Sequence, residues 1–418
     1  VGIGIPQLCF WRSPYYLHGL FLLNSLLVFW YFSNSIVGNK SPATSLFLLL
    51  SLLFLVPACR NLPAVWSTQK GWILGLLVFG CFHILHLAAF GVEIGDDYDK
   101  PAKAIAAVLI LLYLLKYGCS ENVVGTAVAV SAIAAGGYAI YEVFVLNLPR
   151  AGTLTNPIRY GYLTVTIALL CFFYLSISQH RWQQVIYAVS GSIGLVGAYC
   201  TGTRGIALIL IGVGIFLFYR IAKKAHFSPP KLLLGTFGLS VIVIALALST
   251  DVFQSAVKRT VTEVEKTTAG NWNNSLGYRL QMWHVAGYLG IQAPLTGVGT
   301  DYEVIGEKTA GFIEEHKYNP VVVTYFRHFH NQYLDTFAKQ GVPGLLVWLL
   351  LLSLAMSGMK TYYRYAVLMI LMTLVLGGLT EAVLRSSRLF YLMVIGISVF
   401  RCLDYQLALV QKNNLALK

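Results

Sequence analysis

The stretch 327-RHFHNQYLDTFAKQGVPGLLVWLLLLSLAMSG-358 joins two unlike halves. From Gly341 onward it is apolar for long enough to cross a hydrocarbon core of about 30 Å. Before Gly341 it carries two histidines, an arginine and a His-Asn pair against the mouth of that span. One such run would read as a single anchor, but the chain has twelve, over 17–36, 42–58, 72–92, 102–116, 122–145, 159–178, 184–200, 204–220, 231–249, 341–358, 364–380 and 386–402. The pattern predicts an all-α polytopic membrane protein.

Composition agrees. Of 418 residues 57% are hydrophobic and 11% charged, with a mean hydropathy of +0.68, where a soluble domain would carry roughly 25% charged residues. The net charge is +13, from 30 Lys+Arg against 17 Asp+Glu. Without an aromatic-basic RNA motif or zinc-finger spacing, that excess predicts no nucleic-acid partner. It reads instead as the cytoplasmic Lys/Arg bias of membrane proteins. Cys9, Cys59, Cys81, Cys119, Cys171, Cys200 and Cys402 form no CxxC and no Cys/His cluster, so neither zinc nor a disulfide framework is expected. The first fifteen residues hold Arg12 but no cleavable signal, and insertion is expected to rely on the first span.

The Lys/Arg distribution puts both ends in the cytoplasm, with Lys116, Arg181, Lys223, Lys224 and Arg401 among the inner-side charges. The chain then divides into 1–250 with the first nine spans, a large periplasmic loop over 251–340, and 341–418 with the last three spans and a cytoplasmic tail. In the loop, Phe253, Ala256, Val257, Val261 and Val264 recur at helical spacing and predict an amphipathic helix over 252–266 on the membrane surface. Asn274 and Ser275 offer N-caps for a helix over 275–289, and 293-APLTGVGT-300 imposes a turn. A third helix is expected to begin near His330 and stop at Gly341. No repeat relates the two halves, which weighs against repeat-built transporters.

Several polar residues invite a functional reading beside a plain one. In 200-CTGTRGIAL-208, Arg204 can simply snorkel at a helix end, yet Thr-Gly-Thr before it suits an anion held by a guanidinium and backbone N–H groups. In 275-SLGYRLQMW-283, Arg279 can cover Trp283, or it can hold an anion near a helix N-terminus. The two would clamp a diphosphate if they converge. His330 can be a capping residue, but a helix N-terminus beside it favours the neutral ring, which is a competent general base. His328 is the weaker candidate, Asn331 could orient a substrate hydroxyl, and Arg327 and Arg388 stand as secondary substrate contacts. In 95-GDDYDK-100, Asp97 and Asp99 form a DxD, a pattern by which many glycosyltransferases hold a divalent metal. An acidic turn between membrane helices is usually just solvated, and no metal is expected there. In 381-EAVLRSSR-388, Glu381 and Arg385 have the i,i+4 spacing of a helix-end ion pair.

Taken together these residues resemble the O-antigen ligase and polymerase superfamily of bacterial envelope enzymes. The match lies in TGTRGxxL at 201–208, SxxxRxxxW at 275–283, PLxGVG at 294–299 and HNxYLxxxxxxG at 330–341. The layout, twelve spans with one large loop after the ninth, is also similar. The resemblance implies a GT-C-like, inverting glycosyltransferase that needs neither metal nor cofactor. Ligase members move a glycan from undecaprenyl diphosphate to lipid A-core at the periplasmic face of the bacterial inner membrane. Carried over residue by residue, Arg204 and Arg279 would grip the donor diphosphate and His330 would be the catalytic base, and nothing carries over to Asp97 or Asp99. A sister polymerase and a protein O-oligosaccharyltransferase share this chemistry and stay open as readings. A transporter or flippase of lipid-linked sugars is disfavoured, because the polar groups gather at one outer face rather than along a pathway through the spans.

Overall fold

The computed structural model describes residues 14–34, 42–92, 98–153, 156–224, 251–326 and 328–416. The expected span 231–249, Asp97, Arg327 and Cys9 lie outside the described residues. The helices are α1 (Pro14–Asn34), α2 (Pro42–Leu53), α3 (Leu55–Arg60), α4 (Leu62–Ala89), α5 (Asp99–Tyr117), α6 (Glu121–Phe144), α7 (Pro157–Ile177) and α8 (Arg181–Cys200). They continue with α9 (Gly205–Lys224), α10 (Asp251–Thr268), α11 (Ser275–Gln292), α12 (Tyr302–Glu315), α13 (Val321–Thr324), α14 (Gln332–Leu354) and α15 (Arg364–Gly378). The last, α16 (Ser387–Ala416), contains a π-helical turn over Leu392–Gly396. No strand occurs among the described residues.

Five of these helices (α4, α6, α7, α14 and α16) are long and apolar enough to cross a membrane, and shorter apolar stretches occupy Gly19–Phe32, Gly205–Ile215 and Arg364–Gly378. Leu22, Leu26, Leu53, Ile133, Val185 and Ile211 are exposed on the outside of the bundle. A soluble chain rarely leaves so much large apolar surface open, whereas lipid wets it at no cost. The protein is a helical membrane protein. The expected span 42–58 breaks at Phe54 into pieces of 12 and 6 residues, the second ending at Arg60. Neither piece is long enough to cross alone.

The joint on which the site depends lies in α14. Gly341 has φ 68° and ψ −166°, and Pro343 has no N–H to give. A regular helix would pair the carbonyls of Ala338 and Lys339 with the amides of residues 342 and 343. Instead Val298 N–H donates to Ala338 O at 3.0 Å, Gly299 N–H to Lys339 O at 3.0 Å, and Val342 N–H to Pro294 O at 2.8 Å. The turn over 294–299 thus supplies the bonds that the kink removes. Its approach leaves no room for a Cβ: one at Gly297 (φ 66°) would overlap the Lys339 carbonyl, and one at Gly341 would press into Pro294 O. The regular helix therefore ends at Gly341, as expected from sequence, and a second helical stretch follows directly across the kink and runs on to Leu354.

Around this joint the 251–340 segment builds a small core of its own. Met282, Val285 and Leu289 of α11 meet Ile305 and Ile313 of α12, Val322 of α13 and Ala338 of α14. At another point of the bundle Arg401, read from sequence as an inner-side charge, is fully buried. It donates to Gln69 Oε1, Ala355 O, Thr68 O and Ser357 O at 2.7–2.8 Å, tying α16 to α4 and to the end of α14. A buried guanidinium is tolerated because its N–H groups find these acceptors.

Gly297→Ala and Gly341→Ala should each cost about 1–3 kcal/mol, from left-handed strain plus overlap with backbone. Gly287→Ala, inside α11 with nothing within 4 Å of the new methyl, should leave stability unchanged or slightly raised. Thermal unfolding of the three variants in one detergent checks this, and equal melting temperatures would refute the joint's importance.

Candidate active site

His330 precedes α14 in a left-handed conformation, φ 46°, a region that non-glycine residues adopt only when their surroundings hold them there. The surroundings are visible. Asn331 caps α14, its Oδ1 accepting from Tyr333 N–H at 3.0 Å and Leu334 N–H at 3.1 Å, while its Nδ2 donates to Leu379 O at 3.1 Å. Asp335 accepts from Phe329 N–H at 3.1 Å and pairs with Lys339 at 2.9 Å, and Lys339 Nζ also donates to Tyr302 Oη at 3.1 Å. The helix thus starts at Gln332, near His330 as expected from sequence. The Asn331 amide holds backbone with its oxygen and one of its two N–H groups.

His330 Nδ1 lies 2.9 Å from Glu381 Oε2, and the Glu381 side chain is 1% exposed. A carboxylate can only accept, so Nδ1–H donates to it, and in the neutral form of the ring Nε2 is then the nitrogen with the lone pair that can take a proton. His328 Nδ1 accepts the His330 backbone N–H at 3.2 Å and stands 3.6 Å from Glu381 Oε1. Burial pushes the His328 imidazole down to about 3 despite the opposing pull of Glu381, so the 3.6 Å approach joins a neutral ring to a carboxylate and is no ion pair. Burial alone would raise the Glu381 carboxyl. The hydrogen bond from His330, the electrostatic pull of the His330 and His328 imidazoles and then that of Arg159 more than offset it and hold Glu381 below the ordinary carboxylate value.

Sequence spacing assigned Glu381 to a helical pair with Arg385, and the structure corrects this. Glu381 sits in a bend after α15, and Arg385 closes a 3₁₀ turn over Val383–Arg385, so no continuous helix brings i to i+4. The signal that pointed to Glu381 was its place at the mouth of an apolar run, where a carboxylate is costly without a partner.

Arg204 and Arg279 come from separate elements and line one cavity of about 220 Å³, together with Arg150, Arg259, Glu263 and Thr380. The turn that carries Arg204 is held by Thr201 Oγ1 donating to Ala198 O at 2.7 Å and Thr203 Oγ1 to Pro157 O at 3.2 Å. Arg279 rides in the first turns of α11, whose cap Asn274 accepts from Leu276 N–H and Gly277 N–H at 3.1 and 3.0 Å. Arg150 and Arg259 were not singled out from sequence, where nothing in their neighbourhood resembles a site. Thr380 links the cavity to the His–Glu cluster: Glu381 follows it, and its hydroxyl bonds Tyr162 Oη, a group within electrostatic reach of both Glu381 and Arg279.

Of the remaining expectations, Arg388 is half-buried, feels Tyr160 and lines neither this cavity nor the larger one described below. Asp99 pairs with Lys103 at 2.6 Å and accepts from Tyr391 Oη at 2.6 Å, so an ammonium stands where the DxD reading would put a metal. The one grouping among the described residues with metal-ligand geometry is His328, His330 and Glu381, whose donor atoms lie within 4.8 Å of one another. There the His330 Nδ1–H is already given to the carboxylate, and a metal would have to displace that bond.

Residues 189–349 match the O-antigen ligase family model, a range that contains the Arg204 turn, α11 and the site half of α14. Over that range the chain is similar to the O-antigen ligase family. A relative from Haemophilus influenzae, described as an uncharacterized protein, is 22% identical over 346 residues, covering 80% of this chain and 84% of its own.

The depressed His328 gives a pH prediction. Its folded value, about 3, is below the ordinary 6.5, so the unfolded chain binds the extra proton and stability falls as pH drops from about 6.5 toward 3. The slope from one such group is at most about 1.4 kcal/mol per pH unit. Glu381 adds its own loss only below the ordinary carboxylate range. Between pH 7.5 and 5 the melting temperature of the wild type should fall more than that of His328→Asn. Parallel curves would show that His328 is not buried as described.

Proposed function

We propose that this protein is an O-antigen ligase, an inverting glycosyltransferase that moves a glycan from undecaprenyl diphosphate to a sugar hydroxyl of lipid A-core. The observation that carries the reading is the convergence of Arg204 and Arg279 on one cavity whose wall, at Thr380, adjoins the His330–Glu381 pair. A glycosyl diphosphate carries its own leaving group. What it lacks is charge stabilisation on the departing diphosphate and a base for the incoming hydroxyl. In the proposed step the acceptor oxygen forms a bond to the anomeric carbon from the face opposite the diphosphate. Its proton passes to His330 Nε2, and the C–O bond to the diphosphate breaks with its electron pair staying on the diphosphate. Arg204 and Arg279 neutralise that charge, and Glu381 holds the imidazole in the tautomer with Nε2 free. No protein nucleophile is needed and the anomeric centre inverts.

A second cavity, about 1170 Å³, lies beside α14 and is lined by Gln332, Asp335, Tyr302, Leu384, Arg385 and Tyr391 among others. Its mix of aromatic faces and paired charges suits a saccharide, and we assign it to the acceptor. The lipid-linked donor enters from the surrounding bilayer, and the active site faces the periplasm of the inner membrane. Ala310, exposed on α12, offers the topology test. Ala310→Cys in a cysteine-free background should react with an impermeant thiol reagent applied from the periplasm, and reaction only after the inner membrane is opened would put the site on the wrong side.

Activity separates binding from chemistry. Arg204→Ala and Arg279→Ala should lose donor binding and rate together, a truncated charge contact of about 2–5 kcal/mol, and Lys should rescue poorly because it lacks the two-pronged fork. His330→Ala should still bind donor while single-turnover transfer falls about 10²–10⁴-fold. Glu381→Gln should follow His330→Ala rather than the arginine variants. Transfer in excess EDTA should persist, whereas loss restored by a divalent metal would move the assignment to the His328–His330–Glu381 grouping. Near-normal transfer by His330→Ala would end the general-base role. Offering lipid A-core, a second lipid-linked glycan and a pilin-like protein side by side tests the acceptor.

A further inference from the structure

The cavity that holds Arg204 already contains a carboxylate. Arg204 Nη1 and Nη2 donate to Glu263 Oε2 and Oε1 at 2.9 and 3.1 Å, the two-pronged geometry that a guanidinium also offers to phosphate. Arg259 stands one helical turn before Glu263 on α10, and both line the cavity. Among the described residues Arg150, Arg259 and Arg279 have no carboxylate partner. Four guanidinium groups therefore surround one carboxylate, a strongly cationic pocket with only one of its arms engaged.

The pocket is also held in place from two sides. The loop bearing Arg150 is anchored by the buried Glu142, which accepts from Gly152 N–H at 2.6 Å, Thr153 N–H at 3.1 Å and the Thr153 hydroxyl. Glu263 is tied to the helix of Arg279: Thr267 Oγ1 donates to Glu263 O at 2.7 Å, and Asn274, the cap of α11, donates from Nδ2 to Thr267 Oγ1 at 2.9 Å. The segments that carry Arg150, Glu263 and Arg279 are thus anchored before any ligand arrives, and the Arg204 fork is held by Glu263.

We propose that Glu263 occupies the place of one phosphoryl group, and that a diphosphate ligand displaces it from Arg204. The proposal rests on reading this cavity as the diphosphate site. Arg204 cannot give both prongs to two acceptors at once. A single phosphate fills the space between Arg259 and Arg279 and leaves the Arg204–Glu263 pair intact. Two linked phosphates reach both places, and the second takes the fork that Glu263 gives up. The pair is weak enough to exchange, because Arg204 is 38% exposed and solvent screens such contacts. Glu263 therefore selects for two linked phosphates over one, and it keeps Arg204 oriented while the cavity is empty of ligand.

The test uses the full-length protein in detergent, with inorganic pyrophosphate and inorganic phosphate as probes in titration calorimetry. Glu263→Gln should tighten pyrophosphate binding about two- to fivefold, the scale of losing one exposed competing ion pair, and should leave phosphate binding nearly unchanged. The gain should vanish when Arg204→Ala is added, since the two residues act as one unit. Glu263→Asp, which keeps the charge but pulls the carboxylate back, should tighten pyrophosphate by a smaller factor and serves if the glutamine variant folds poorly. If Glu263→Gln binds pyrophosphate no better while Arg204→Ala and Arg279→Ala still weaken it, Glu263 is only a support for Arg204 and the proposal fails with the diphosphate site intact. Equal tightening of phosphate and pyrophosphate would show a general charge effect and overturn the selection. Absence of pyrophosphate binding to the wild type, or its indifference to both arginine variants, would sink the diphosphate reading and this proposal with it.

Discussion

Everything at the site depends on how one helix is broken and mended. A straight helix through 332–354 would have to be either apolar along its whole length or polar at membrane depth. The Gly341–Pro343 kink lets its first half stay polar and site-forming while the second half spans. The price of a kink is unpaired carbonyls, which a low-dielectric setting makes expensive. Val298 and Gly299 give their amides to those carbonyls, so the turn at 294–299 and the helix that carries Asn331 form a single unit. PLxGVG and the glycine of HNxYLxxxxxxG are then two sides of one contact, each needing a bare backbone where the other passes.

With the helix start fixed, the electrostatics divide into two zones of opposite character. Glu381, His328 and His330 are nearly closed to water, with side-chain exposures of 1%, 11% and 13%. There a single hydrogen bond decides which imidazole nitrogen is free, because no solvent competes for it. The arginine cavity is open, and its guanidinium groups keep a charge that water screens but does not remove. On the proposed reading the two zones suit their tasks: a mobile anion is exchanged more readily at an open cluster than at a fully buried one, and a general base gains from a setting that fixes its tautomer in advance.

Much of this arrangement was legible in the sequence, and the failures share one cause. Arg204 and Arg279 stand out because small or hydroxyl residues flank one and a capped helix start precedes the other, both local properties. His330 stands out because it neighbours a predicted helix N-terminus. Glu381 was misassigned because i,i+4 spacing has meaning only on a helix, and 379–386 is a bend followed by a 3₁₀ turn. The capping role of Asn331 was not legible because periodicity places a helix start only to within a residue or two. The burial of Arg401, counted from sequence only as an inner-side charge, was not legible because its four oxygen acceptors come from residues remote in sequence, including Thr68, Gln69 and Ala355.

The same limit explains why the arginine cavity is larger in the structure than in the motifs. A motif records residues that are close along the chain, and Arg204 and Arg279 each sit in one. Arg150 reaches the cavity from a loop whose anchor, Glu142, lies at the end of a different helix, and Arg259 reaches it from α10. Neither position has a neighbour that would mark it, yet each contributes a whole charge. The positive field in the cavity is therefore set as much by the way the segments pack as by the motif residues. On the proposed reading, changing positions 150, 259 and 263 while keeping Arg204 and Arg279 would keep the chemistry and change the charge that the donor must carry.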